Sequence, residues 1–140
     1  MRLFLDANIL FSAAYRDGNP ALLLFELAVA GRCHLVTSEF AWEEAHRNIT
    51  QKCPQRLPML AALKKQLKFA PVPDASGIAV ASEQGLPDKD APILAAALAT
   101  KAQVLVTGDR THFGHLYGKE AGSLQVLTLR DTLVSLLEIR

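Results

Sequence analysis

The stretch "DAPILAAALATKAQVLVTGD", residues 90–109, decides the fold. Asp90 has the residue type of a helix N-cap, and Pro92 falls in the first turn, where its missing N–H is tolerated. An apolar helix follows. After Lys101 and Gln103 comes "VLVT", a short β-type run, and Asp109 stands just beyond it. A helix feeding a short apolar strand is half of a strand–helix–strand unit. The rest of the chain therefore has to supply matching strands.

It does so. Apolar β-type runs occur at 2–5, 33–37 and 124–129, with a weaker one near 69–72. Helical segments lie between them. Asn19-Pro20 reads as N-cap then first helical residue, and Gly31 as a stop, giving a helix over 20–30. Thr37 or Ser38 caps a second helix that runs to about Lys52. Pro58 opens a third, "PMLAALKKQLKF". Asp74 starts a short fourth that ends before Gly85, residues 90–102 form the fifth, and Asp131 caps a last one over 131–139. Strands alternating with helices imply an α/β fold with a parallel sheet covered on both faces. Near-continuous apolar strands agree, since such strands are buried on both sides.

Composition narrows the class. At 140 residues, half of them hydrophobic, the chain reads as one domain (1–140) of ordinary soluble type. A net charge of +1 gives no global basic field. Cys33 and Cys53 have no metal-ligand spacing and read as reduced thiols in a cytoplasmic protein. No apolar run reaches the ~18 residues of a membrane span.

The acids carry the chemistry. Asp6 interrupts the apolar run "RLFLDANILF" (2–11), where a buried charge is costly unless paired or bound to a metal. Asp6 and Asp109 follow strands, at the carboxyl edge where open parallel sheets bind ligands. Asp88 and Asp90 precede the apolar helix. Glu43 and Glu44 lie on the helix after "CHLVT". Along that helix, Glu44 stands about 110° from the centre of the apolar stripe and Glu43 about 150°. Glu44 is therefore the better placed to flank a rim site. Each residue alone has an ordinary role: a cap for Asp90, a turn for Asp109, a solvated helix face for Glu44, a turn or cap for Asn8 and Thr107. Together, four acids on one rim repel one another without a cation. Their oxygen chemistry suits a hard divalent ion, Mg²⁺ or Mn²⁺.

At this point "FLDANIL", "VTSEFAWEEAHRNI" and "PDKDAPILAAALATKAQVLVTGDRTHF" resemble, in order and spacing, the PIN-domain ribonucleases, through to the closing strand "LQVLTL". The resemblance implies a three-layer α/β/α sandwich with a central, mainly parallel sheet of about five strands. It also implies Mg²⁺- or Mn²⁺-dependent hydrolysis of RNA phosphodiesters, leaving a 5′-phosphate and a 3′-hydroxyl. The metal-binding acids fall on Asp6, Glu44, Asp90 and Asp109, and Asn8 and Thr107 match polar positions lining the same site. Glu43 and Asp88 are close neighbours in register.

Small stand-alone proteins of this kind resemble the toxin halves of bacterial toxin–antitoxin pairs. An antitoxin partner and a homodimer are expected on that basis. A housekeeping RNA-processing nuclease or a non-catalytic RNA-binding module of the same fold are the alternatives. Arg47, Lys52, Arg56, Lys64, Lys65 and Lys68 are candidates for holding RNA. A phosphoacceptor receiver domain is disfavoured because no Lys follows the late strand, and a haloacid-dehalogenase-type phosphatase because "DAN" lacks the second Asp.

Overall fold

The computed structural model describes residues 1–71, 91–108, 120–121 and 124–138. The strands are β1 (Arg2–Leu5), β2 (His34–Thr37), β3 (Leu67–Phe69), β4 (Val104–Val106), β5 (Glu120–Ala121) and β6 (Leu124–Leu127). The helices are α1 (Ala7–Tyr15), α2 (Pro20–Val29), α3 (Glu39–Lys52), α4 (Leu57–Leu63), α5 (Ala91–Ala99) and α6 (Leu129–Leu137). The sheet order is β3-β2-β1-β4-β6-β5, parallel except for the antiparallel β5 at one edge.

β1 lies at the centre because its residues tolerate no water on either side. Leu3, Phe4 and Leu5 are all fully buried, and successive strand residues point to opposite faces, so both faces are covered. α2 lies over β2 and touches α6, which lies over β4 and β6. α5 spans β2 and β4 and meets α3. The expected three-layer α/β/α sandwich results. Among the described residues no helix is long and apolar enough to cross a membrane.

Local chemistry sets the element ends. The Asn19 side chain accepts from the amides of Ala21 and Leu22, with Pro20 opening α2, and Gly31 turns the chain after it at φ +80°. Ser38, one of the two caps anticipated for α3, accepts from the Ala41 amide.

The structure corrects four details. α1 follows β1 at once, over residues to which sequence patterning gave no helix. The expected helix from Pro58 stops at Leu63, and a short 3-10 turn (Lys64–Gln66) leads into β3, so the edge strand lies at Leu67–Phe69 rather than 69–72. Pairing with β2 overrides local helix propensity there. β6 ends at Leu127. Thr128, not Asp131, caps α6, its hydroxyl accepting from the Asp131 amide 3.1 Å away. Asp131 sits instead in the first turn, where a carboxylate complements the helix dipole. The helix expected after Asp74 lies outside the described residues.

Candidate active site

The chain leaves β1 for β2 on one side, while β4 occupies the other side. The carboxyl ends of β1 and β4 thus form a topological switch point, the place where open α/β sheets leave a crevice. Asp6 stands there and is 6% exposed. Its backbone continues the sheet by donating to the Val106 carbonyl at 3.1 Å. Its side chain caps α1. Oδ1 accepts from the Ala7 amide at 2.7 Å, and Oδ2 accepts from the Thr107 hydroxyl at 2.7 Å. The helix N-terminus supplies a favourable dipole for this carboxylate.

Asn8 ties the same point together. Its Nδ2 donates to Asp6 Oδ2 at 3.5 Å and to Thr107 Oγ1 at 3.4 Å, both long bonds. Its Oδ1 accepts from the Gly108 amide at 2.9 Å. Asn8 therefore bridges the start of α1 and the turn leaving β4, across about a hundred residues of sequence. Of the six candidate site residues, the structure brings Asp6, Asn8 and Thr107 into one network. Asp90 and Asp109, with the neighbouring Asp88, lie outside the described residues.

Glu44 is described, and its placement follows the helix geometry. It is half-buried on the flank of α3, the helix packed on α1, whereas Glu43 is exposed. Glu43 borders an outward hollow with Glu39, Trp42, His46 and Arg47. Glu44 makes no hydrogen bond or ion pair with any described residue. Among the described residues no three of His, Cys, Asp and Glu come together as a metal cage.

The basic cluster divides in two. Arg56 donates from Nε to the Ala14 carbonyl and pairs with Asp17 at 2.9 Å, tying the end of α1 to the turn before α4. That is a structural task. Lys52 lies over the Phe11 ring, and Lys64 over both Trp42 and Phe69, at 5.1–5.3 Å from the ring centroids. Arg47, Lys52, Lys64, Lys65 and Lys68 have no acidic partner among the described residues. Cys33 and Cys53 are buried and free, and burial pushes the Cys33 thiol up.

Two features were not singled out from sequence. Thr37 ends β2 as Thr107 follows β4, and its buried hydroxyl donates to the Leu5 carbonyl at 2.9 Å. The shared "LVT" at 35–37 and 105–107 was the available signal. The second is an apolar groove of about 570 Å³ beside the network, bounded by Thr107, Gly108, Leu129, Val134 and Leu137.

Asp6 thus caps α1 at the switch point, with Asn8 and Thr107 bonded beside it. Residues 2–111 match the sequence profile of the PIN domain. The chain belongs to the PIN domain family. Its fold is similar to VapBC2 from Rickettsia felis bound to promoter DNA (20% identity, 91% of this chain and 98% of that one, TM-score 0.67). It is also similar to PAE2754 from Pyrobaculum aerophilum (18%, 99% and 97%, 0.71). A third is VapC20 from Mycobacterium tuberculosis, a toxin that cleaves the sarcin-ricin loop (15%, 78% and 91%, 0.57). At these identities the likeness is one of fold. No curated protein matches the chain in sequence.

Proposed function

We propose that this PIN domain is a Mg²⁺- or Mn²⁺-dependent endoribonuclease acting in the cytoplasm as the toxin of a toxin–antitoxin pair. The observation that carries the reading is the fixed Asp6 carboxylate at the β1–β4 switch point. The half-buried Glu44, which no described residue pairs, supports it. Both are hard oxygen donors, the type that suits Mg²⁺ and Mn²⁺. Asp6 and Glu44, with Asp90 and Asp109, would hold the ion. The chemistry such an ion would supply there is polarisation of a phosphodiester and activation of water.

The chain's own residues prepare the site. The Ala7 amide and the Thr107 hydroxyl fix the two oxygens of Asp6, so its orientation is set before any ion arrives. Asn8 holds the Gly108 amide and thus the chain where it leaves β4. In this reading Asn8 and Thr107 are positioning residues. Lys52 of α3, Lys64 and Lys65 of the turn after α4, and Lys68 of β3 attract the RNA backbone.

VapBC2 is a two-component assembly and VapC20 a toxin, which favours an antitoxin partner here. The apolar groove beside Thr107 and Gly108 is the surface on which a segment of it would block the site. A homodimer belongs to the same reading. RNA cleavage in Mg²⁺ or Mn²⁺ that stops on adding EDTA is the expected result. Undiminished cleavage in EDTA overturns it.

A further inference from the structure

At the opposite, amino-terminal edge of the sheet is a second hollow, of about 160 Å³, between β2, β3 and the end of α2. His34, Lys65, Gln66 and Lys68 supply its polar wall, and among the described residues no carboxylate lines it. None of the three basic residues has an ion pair or hydrogen bond through its side chain to a described residue. Placing like charges around one hollow without a counter-charge is unfavourable, and an anion relieves it.

The ordinary reason for cations at this edge is to cap helix C-termini, which end here. Two neighbours do so. Arg2 donates to the Thr100 carbonyl beyond α5, and Arg32 to the Leu136 carbonyl of α6. The hollow's cations make no such bond to a described carbonyl, and the Leu27 and Ala28 carbonyls near the end of α2 are already taken. The Gly31 amide donates to Ala28 and the Arg32 amide to Leu27.

We infer that His34, Lys65 and Lys68 form a phosphate-binding site that holds RNA backbone away from the cleaved bond. The inference rests on the ribonuclease reading for its ligand. β2 separates this hollow from the rim by four residues, roughly 10–13 Å along the strand. A phosphate bound here therefore belongs to nucleotides beyond those at the metal site.

The test measures binding without catalysis, on the whole chain in EDTA, by anisotropy of labelled single-stranded RNA. For RNA of about 20 nucleotides, the Lys65→Ala/Lys68→Ala double variant should bind about tenfold more weakly at low salt. The slope of log K against log[salt] should flatten by about 1.4. RNA of about four nucleotides, too short to reach from the rim to the hollow, should lose less, and Lys101→Ala, at the same edge outside the hollow, should change neither. Inorganic phosphate should shift the His34 ring signals in the wild type and not in the double variant. Phosphate shifts with unchanged long-RNA binding would assign the hollow to free phosphate and overturn the RNA proposal. An unchanged salt slope with no phosphate shift overturns the site altogether. RNA binding lost as expected, in a protein that cleaves nothing with any metal, would sink the nuclease reading and leave this site standing.

Discussion

The seam between β1 and β4 and the flank of α3 each carry one carboxylate of the proposed site, under opposite conditions. Asp6 on the seam is buried and accepts from a backbone amide and a buried hydroxyl. Glu44 on the flank is half-exposed, and no described residue touches it with a polar atom. Asp6 is thus part of the fold as well as of the proposed site, whereas Glu44 makes no polar contact with a described residue. A residue of the second kind can be altered without disturbing the structure, which makes it the cleaner probe of function.

The largest expected effect follows. Glu44→Gln should lower metal-dependent cleavage more than about 100-fold, as loss of a metal ligand does at a site built on few. Its unfolding free energy should stay within about 0.5 kcal/mol of wild type, since no internal partner is lost. Glu43→Gln, on the outward face, should leave both measurements unchanged. Cleavage assays and thermal melts on the two variants give the answer, and a selective loss at Glu43 would place the site on the wrong side of α3.

On the seam the same kind of change should damage both properties. Thr107→Val removes the hydroxyl that donates to Asp6 Oδ2 at 2.7 Å. Losing a hydrogen bond to a charged group costs about 1.5–3 kcal/mol. The melting temperature should fall by roughly 4–10 °C, and cleavage by about 10–100-fold through misplacement of Asp6. A variant that keeps the wild-type melt would show that the seam is less tightly coupled than its distances imply. The same network bears on Asp6→Asn. Repulsion among acids alone predicts that this change stabilises the metal-free protein, but an amide facing the Thr107 hydroxyl breaks the donor–acceptor order.

What the sequence made legible follows this division. Strands β1, β2 and β4 were visible because burial on both faces leaves mostly Leu, Val and Phe in them, and β6 because buried Leu124 and Val126 alternate with half-buried Gln125 and Leu127. Glu44 could be separated from Glu43 because a helix has one period and one buried stripe. α1 was not visible. "ANILFSAAY" has little amphipathic contrast, being buried along Ala7, Ile9, Leu10, Ala13 and Ala14, and it begins one residue after a strand of the same character. The one signal of the change is Asp6 itself, acting as a cap, and its chemical prominence drew attention from that plainer duty. β3 was misplaced for a related reason. "LKKQLKF" has good helix formers, and only the neighbouring strand in space makes its end a strand.

The smallest expected effect is the sharpest control on the seam. Thr37 and Thr107 both stand at the carboxyl end of strands flanking β1, both are fully buried, and both donate a hydroxyl hydrogen bond towards it. They differ in the acceptor. Thr107 serves the Asp6 carboxylate, and Thr37 serves the backbone carbonyl of Leu5, one residue earlier. A neutral bond of this kind contributes about 1 kcal/mol, and one to a charged group about 1.5–3. Valine keeps the branched shape that suits a strand. Thr37→Val should therefore cost about 1 kcal/mol, less than Thr107→Val. It should leave cleavage within about twofold of wild type, because the orientation of the Asp6 side chain does not depend on it. If the two valine variants lose activity equally, what matters at this rim is the packing of the strand ends, and the Thr107–Asp6 hydrogen bond has no special role in holding the carboxylate.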